Sequence, residues 1–247
     1  MKTIQAQPGR NGFTLVELLV TVTIILVLGA LVFLGFARVR EAADQTTTIH
    51  RIKSLADANI VYAADHGGKY VPVYSFDEDS KASVQWHYNQ TFLEPLIGIK
   101  KALEEFEVHE GADGLPEQVL DPIVIRAKKK DWSRISGSFG YNHENMDGGW
   151  GQPNVDRSYT INTVPDPVKT CAFITATDWI AKYSGRYLWR QQGFEGKTPD
   201  GKIAYRHGDK AVVVFYDGHT ELISMEQMRE IDRRGGIDNI FWGGDEY

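Results

Sequence analysis

A long apolar run near the N-terminus dominates the hydrophobic pattern of the chain. Residues 13–36 contain one charged side chain, that of Glu17. A helix over this run would be roughly 36 Å long, enough to cross a hydrocarbon core of roughly 30 Å. Lys2 and Arg10 precede the run without any acidic residue, which favours a cytoplasmic N-terminus. The pattern therefore predicts a transmembrane helix.

The helical pattern continues beyond the apolar run. Residues 37–65 contain neither glycine nor proline. Four apolar residues recur there at helical spacing: Ile49, Ile52, Ala56 and Ala63. Residues 66–69, which read HGGK, are suited to ending a helix. We expect one helix over residues 14–65, whose first half spans a membrane or packs in a fibre and whose second half supports a globular head.

The head alternates short strand patterns with turns. A short helix is predicted over residues 98–108. Strands are predicted over residues 70–75, 158–163, 171–177 and 186–191. The clearest signal is a hairpin, in which residues 211–216 and 219–224 flank Asp217 and Gly218, a dipeptide typical of type I′ turns.

A final helix follows the hairpin over residues 225–234. Ser224 and Gln227 have the spacing of a capping box at its start, and Gly235 is suited to its end. Together these elements predict an α+β fold, in which the long N-terminal helix packs against a mostly antiparallel β-sheet.

Composition excludes one class of partner. The net charge is −6 and the isoelectric point is about 5.7, so no basic field would attract nucleic acid, and the only basic run is residues 128–130. Cys171 is the only cysteine, so no internal disulfide can form. It lies in a predicted buried strand, where we interpret it as a small core residue.

Glu17 is the residue that a plain membrane anchor would not need. A carboxylate at mid-bilayer costs about 2.5–3.5 kcal/mol, although one near the helix end can reach the interface. A secretory signal is disfavoured because the run is long and residues 35–44 are a poor cleavage site. A third interpretation places a cleavage site at Gly12, on the cytoplasmic side of the run.

The stretch GFTLVELLVTVTIILVLGALV resembles the N-terminal signature of type IV pilins and type II secretion pseudopilins. The resemblance implies a bacterial prepilin, in which a membrane peptidase cuts after Gly12 and methylates Phe13. It also implies a leader at residues 1–12, a transmembrane assembly helix at 13–36, an amphipathic continuation at 37–66 and a pilin-like head at 67–247.

Cleavage would give Glu17 a partner that the precursor lacks. Cutting before Phe13 creates an α-ammonium, and an ammonium and a carboxylate attract strongly in a low-dielectric environment. The amine could be the chain's own, one helical turn away, or that of a neighbouring subunit. The family resemblance implies the neighbouring subunit.

A second resemblance lies in the head. RHGDKAVVVFYDGHTEL places His207 nine residues before Asp217 and Gly218, and this spacing resembles the H-x9-DG region of a large pseudopilin-like bacterial family. Residues 138–142 and 165–179 are also similar to that family's head, whereas residues 70–130 depart from it. The resemblance implies a location and a mode of assembly rather than an activity.

The H-x9-DG region also contains residue types that bind metals: His207, Asp209, Asp217 and His219. A six-residue strand would separate His207 from Asp217 by roughly 20 Å, so one shared ion is disfavoured. We interpret Asp217 and Gly218 as the turn and His207 as ordering the entry to the strand. Asp178 is the expected hydrogen-bond partner of His207 or Arg206.

No cofactor is expected, although a structural calcium ion is an alternative. Residues 143–149, HENMDGG, weakly resemble a calcium loop, but the Asp and Glu that an EF-hand needs at its ends are missing. We interpret them as a surface loop. The candidate cation ligands are Asp147, Asp178 and His207.

The predicted function is a pilin-like structural subunit, not an enzyme, of a type II secretion or type IV pilus-like system. Its expected partners are the prepilin peptidase/methylase, other pilin-like subunits and inner-membrane lipid, with the head periplasmic or extracellular. One alternative is a filament-displayed or membrane-anchored binding module for a glycan or a secreted substrate. An exposed row of Trp150, Trp189 and Trp242 would favour it. Another alternative is an anchored enzyme, which a convergence of His207, Asp178 and Asp217 would favour.

Overall fold

A computed structural model describes residues 13–77, 82–97, 119–128, 138–146, 156–189 and 201–244. Within its helices and strands, the side chains of residues 32–34, 37, 76, 77, 82, 83, 90, 97, 127 and 128 are outside this description. The chain divides into two compact units, Met1–Ala43 and Asp44–Tyr247. The predicted leader at 1–12 and the predicted helix at 98–108 lie outside the described residues.

Helix α1 extends over Leu15–Asp65, which confirms the helix predicted for residues 14–65. It ends where the HGGK segment predicted. The Gly68 N–H donates to the Ala63 carbonyl at 2.8 Å, and Gly67 and Gly68 have φ values of +64° and +85°. This six-to-one hydrogen bond around a left-handed glycine is the Schellman ending of a helix.

The first unit contains the part of α1 that carries the apolar run. Its large apolar side chains with described positions, from Phe13 to Val39, are between 48% and 82% exposed. Over the described residues, the structure contains no helix that is both long and apolar enough to cross a membrane. The transmembrane prediction for residues 13–36 is not confirmed by the structure and stays a prediction.

The second unit contains two sheets, and all but one of their strand pairs are antiparallel. Strands β1 (Tyr74–Asp77) and β2 (Ala82–Gln85) form a small antiparallel sheet. The larger sheet has five strands: β3 (Phe139–Asn142), β4 (Cys171–Thr175), β5 (Ile180–Ala181), β6 (Lys210–Phe215) and β7 (Thr220–Ser224). Its order is β5-β3-β4-β6-β7, and only β3 and β5 pair in parallel. The predicted α+β fold with a mostly antiparallel sheet is confirmed.

The described part of the second unit contains three further α-helices: α2 (Gln90–Ile97), α3 (Pro122–Lys128) and α4 (Met225–Asp232). Short 3-10 turns occupy Trp86–Tyr88, Tyr183–Gly185, Gly236–Asp238 and Ile240–Trp242. The predicted capping box is confirmed, because the Ser224 side chain accepts from the Gln227 N–H and the Gln227 side chain accepts from the Ser224 N–H. The prediction of helix 225–234 is correct to within two residues.

The C-terminal part of α1 packs against one face of the larger sheet. Ile52 and Ala63 are fully buried, Ala56 is 3% exposed, and Ile49 packs partly buried beside them, so the predicted apolar stripe is confirmed. Their cluster includes sheet residues from three strands: Tyr141, Phe173, Val212 and Val214. This part of α1 therefore belongs to the core of the head.

The other face of the sheet is covered by α4 and the C-terminal turns. Its cluster contains the remaining inward side chains of β4 and β6 together with Met228 and Trp242. Cys171 is fully buried there, as predicted, and burial raises the pKa of its thiol. Because both faces are buried, residues 171–174 of β4 and 211–215 of β6 are continuous apolar runs.

Two predicted strands are wrong. Residues 158–163 form one isolated bridge, at Thr160, and then a turn, because the Thr160 N–H and hydroxyl both donate to the Thr163 hydroxyl. Residues 186–189, the described part of the segment 186–191, form a turn in which Leu188 N–H donates to the Gly185 carbonyl.

The hairpin of β6 and β7 is confirmed, but its predicted turn type is wrong. A type I′ turn needs positive φ at both central residues, and only Gly218, at +87°, has it here. The Gly218 N–H donates to the Phe215 carbonyl at 3.0 Å, and the Asp217 carboxylate accepts from the His219 N–H at 3.1 Å. The connection is a type I turn followed by a left-handed glycine.

Because Gly218 has a left-handed conformation, substituting it tests the assigned turn type. Gly218→Ala is expected to destabilise the head by about 1–2 kcal/mol, because an L-residue pays this cost at positive φ. Crowding adds nothing, since the nearest atom to an added Cβ, Asp57 Oδ1, lies 3.9 Å away. Gly218→Asn is the matched control and should cost less, because asparagine tolerates this region. Urea unfolding measures both, and an alanine variant as stable as wild type would contradict the turn.

Candidate functional site

Glu17 participates in a capping box at the start of α1. The Thr14 backbone N–H and hydroxyl both donate to Glu17 Oε2, at 2.9 and 2.8 Å, and the Glu17 N–H donates to Thr14 Oγ1 at 3.2 Å. The carboxylate therefore satisfies an amide that the helix leaves unpaired. The sequence analysis missed this role, although Thr-x-x-Glu before an apolar run is its signature.

The capping box leaves part of the Glu17 carboxylate available. Both hydrogen bonds from Thr14 end on Oε2, and no donor among the described residues reaches Oε1. Phe13, the predicted new N-terminus, is 74% exposed. Gly12, the predicted cleavage position, lies outside the described residues. The capped carboxylate can thus accept a further donor without losing the cap.

The hydroxyl groups of the apolar run are satisfied within the helix. The Thr21 hydroxyl donates to the Glu17 carbonyl at 3.0 Å, and the Thr23 hydroxyl donates to the Leu19 carbonyl at 2.8 Å. These bonds to the preceding turn need no water. The segment therefore presents an outer surface that is apolar apart from Glu17 and Thr14.

In the head, the spacing of the H-x9-DG region matches one strand and its two turns. His207 and Lys210 exchange backbone hydrogen bonds at 3.1 and 3.2 Å, and Gly208 and Asp209 between them both have φ of +59°. This is a type I′ turn. Strand β6 follows directly, and Tyr216 then leads to the Asp217-Gly218 turn. The prediction that His207 orders the entry to this strand agrees with this geometry.

His207 contacts a buried carboxylate that the sequence analysis did not select. His207 Nε2 lies 3.0 Å from Asp121 Oδ2, and both side chains are fully buried. Arg206 NH1 lies 3.7 Å from the same oxygen, and Arg206 NH2 donates to the Ala176 carbonyl at 2.8 Å. Asp178, the predicted partner of His207 or Arg206, accepts a hydrogen bond from the Trp179 N–H. The partner of His207 is corrected to Asp121, and the pairing of Asp178 with Arg206 stays a prediction.

Burial and charge oppose each other at Asp121. Burial alone would raise the pKa of this carboxyl. The hydrogen bond from His207 and the positive charge of Arg206 together lower it by more than burial raises it, so the pKa lies below its ordinary value. Burial lowers the pKa of Arg206, and the Asp121 charge partly offsets this. The carboxylate is thus held ionised beside a buried guanidinium.

His207 and Asp217, the two ends of the H-x9-DG region, lie apart in the described structure. His207 and Asp217 stand at opposite ends of β6, and Asp147 lies outside the described residues. Asp217 is engaged by His219, whose Nδ1 is 2.6 Å from Asp217 Oδ1 and whose ring stacks on Phe215. In the described part of the chain, no group of three or more His, Cys, Asp or Glu side chains could hold a metal ion.

The aromatic residues proposed as a binding row are not aligned on the surface. Trp242 is fully buried, Trp189 is half-buried, and Trp150 lies outside the described residues. The described head does have an open cleft of about 410 Å³ between the end of α1 and α2. It is lined by Val61, Tyr62, Asp65, His66, Thr91, Glu94 and Pro95.

Comparison with known proteins bears on the N-terminal segment. A family model described as the prokaryotic N-terminal methylation motif matches residues 8–33. This match supports a type IV pilin-like protein, and the motif implies processing by a prepilin peptidase and assembly with pilin subunits. No curated protein and no solved structure matches the chain. The resemblance of the head to the H-x9-DG family stays a prediction.

The buried network gives a stability prediction. Asp121→Asn is expected to destabilise the head by about 3 kcal/mol at neutral pH, because it removes the negative charge that partly offsets the burial of Arg206. Folding lowers the pKa of Asp121, so its stabilisation is complete above the unfolded-state pKa of about 3.9 and is lost as the pH falls through the lower folded-state value. The difference in the free energy of unfolding between wild type and variant should therefore shrink in acid.

Urea unfolding at about pH 7 and about pH 2.5 measures this difference. Asp217→Asn is the matched control, because its carboxylate also contacts a histidine but is 32% exposed. Its effect should stay below about 1 kcal/mol, as for other exposed pairs. A difference for Asp121→Asn that is equal at both pH values would contradict the proposed ionisation.

Proposed function

We propose that the chain is a pilin-like, pseudopilin structural subunit, cleaved after Gly12 and N-methylated on Phe13. It then assembles into a pilus or pseudopilus of a type II secretion or type IV pilus-like system. The observation that carries this proposal is the methylation-motif match over residues 8–33. The matched segment contains the start of α1, where the large apolar side chains with described positions are exposed. It therefore has apolar surface to bury against lipid or other subunits.

The precursor inserts in the inner membrane through residues 13–36, with its N-terminus cytoplasmic and its head periplasmic or extracellular. The support is the sequence itself, which has basic residues before the run and one charge within it. The partners are the prepilin peptidase/methylase, inner-membrane lipid and other pilin-like subunits. No nucleic acid partner is expected at a net charge of −6.

Glu17 serves two purposes in this proposal. In the precursor it caps α1 through Oε2. After cleavage, the amine of a neighbouring subunit's Phe13 provides a positive charge that can approach Oε1. In a low-dielectric environment this pairing sets the register between subunits, because a misaligned subunit would leave both charges unpaired.

The alternative functions have less support. A glycan-binding head was expected to show an exposed tryptophan row, and Trp242 is buried. An enzyme was expected to bring His207 and Asp217 together, and they stand at the two ends of β6. We propose that both residues have structural roles and that the chain is not an enzyme. A structural calcium ion in the loop containing Asp147 stays a proposal.

Mass spectrometry of the mature N-terminus tests the processing. In cells that contain the peptidase, the chain should begin at an N-methylated Phe13, because Gly12 is the cleavage position that the motif implies. A variant in which Gly12 is replaced by alanine or a larger residue is the control, and it should keep the leader. An intact Met1 on the wild-type chain would contradict the proposal.

Two variants separate the charge of Glu17 from its cap. Glu17→Gln removes the charge but keeps an acceptor that suits a capping box, whereas Thr14→Val removes the hydroxyl of the cap and keeps the charge. We expect Glu17→Gln to leave insertion and cleavage intact and to reduce the yield of filaments about tenfold or more, because a buried ammonium would lose its counter-charge. Thr14→Val should reduce it less.

Filament yield in the sheared fraction measures assembly, and the ratio of cleaved to uncleaved chain measures processing. Equal defects in the two variants would show that Glu17 acts only through the cap. Normal assembly of Glu17→Gln would show that the charge has no role.

A further inference from the structure

We propose that residues 119–128 form a local unit that opens from the head independently of the sheet, and that the Asp121–His207 pair holds this unit closed. The proposal concerns the head alone and does not depend on the proposed function. The unit, called the 119–128 segment below, consists of a short turn and helix α3 (Pro122–Lys128).

The buried contacts of the segment converge on Asp121. Its carboxylate lies 3.0 Å from His207 Nε2 and 3.7 Å from Arg206 NH1. Its backbone N–H donates to Ser138 Oγ at 2.9 Å. These three partners lie next to β3 and β6, so Asp121 alone makes these polar contacts between the segment and the sheet.

The same carboxylate also starts helix α3. Asp121 Oδ1 accepts the Ile123 N–H at 2.8 Å, and Pro122 occupies the first helical position, where a missing N–H has no cost. Losing Asp121 from its site would therefore weaken the helix and its attachment together. This coupling is what makes the segment a cooperative unit.

The contacts of the segment with α1 are more exposed. Arg126 forms a bidentate ion pair with Asp44, and the two side chains are 36% and 13% exposed. Arg51 donates to the Leu120 carbonyl in a part-buried position. A partly exposed ion pair is screened by solvent, whereas breaking a fully buried one by removing a partner is strongly destabilising. The buried pair is therefore the contact expected to control opening.

The segment also buries apolar side chains. Val119, Leu120 and Val124 are buried, and Ile125 packs partly buried against the core. The segment contributes no strand to either sheet of the described residues. Opening therefore breaks no β-ladder hydrogen bond, and it returns the buried charges of Asp121 and Arg206 to water, which lowers its cost.

One atom of this network, His207 Nδ1, makes the closed state less stable. This nitrogen is buried and has no hydrogen-bond partner among the described residues. A buried polar atom without a partner raises the free energy of the closed state. It therefore reduces the difference between the closed and open states.

Native-state hydrogen exchange on the full chain in detergent tests the proposal without any substitution. At low denaturant, the amides of the 119–128 segment should exchange through an opening at least about tenfold more frequent than that of β4 and β6. If these amides exchange only with global unfolding of the head, the proposal is overturned.

Substitutions then test the role of the pair. In Asp121→Asn and His207→Gln, exchange within the 119–128 segment should rise by about tenfold or more, because each variant breaks a buried charged hydrogen bond. Exchange in β4 should rise as well, because the pair is also lost when the whole head unfolds, so the segment is compared with its own wild-type exchange. His219→Gln is the matched control, since His219 contacts Asp217 at 2.6 Å but is 35% exposed. It should leave the segment protected.

Two outcomes would overturn the role of the pair. One is unchanged exchange of the segment in both variants. The other is an equal rise of the segment's exchange in His219→Gln, which would show that the effect is not specific to the buried pair.

Discussion

The packing of α1 against the five-stranded sheet is the interaction on which the head depends. Ile52 and Leu55 are fully buried on one face, and fully burying such a side chain contributes about 1.5–3 kcal/mol. With α4 and Trp242 on the opposite face, the central strands β4 and β6 are buried on both faces. This constraint explains why β6 reads as the continuous apolar run AVVVF rather than an alternation.

The nine-residue spacing between His207 and Asp217 follows from the same sheet. It consists of two turn residues, Gly208 and Asp209, the six-residue strand β6 and Tyr216. Each end of the strand is fixed by a different turn, one of type I′ and one with a left-handed Gly218. The motif therefore has a complete structural explanation, and its histidine gains a buried partner only because Asp121 is brought beside it.

How well each feature could be predicted depends on how far apart its residues are in the chain. The apolar stripe of α1, the hairpin and the Ser224–Gln227 capping box involve neighbouring residues, and all were predicted from the sequence. The Thr14–Glu17 capping box is equally local and could have been predicted, but it was missed. In contrast, Asp121 and His207 are separated by 86 positions, and no local pattern connects them. The failed strand at 158–163 shows local threonine bonds overriding strand propensity.

The capping box also changes what the lone carboxylate of the apolar run means. A membrane anchor alone would make Glu17 an unexplained cost, and a pilin-like subunit would make it useful only after cleavage. The structure shows that the carboxylate already has hydrogen bonds from Thr14 before any cleavage. Because these bonds use one oxygen, the cap holds the side chain at the helix start with the other oxygen accessible. If an ammonium pairs with Glu17 as proposed, a fixed acceptor loses less rotamer entropy, and the cap would then prepare the site for that partner.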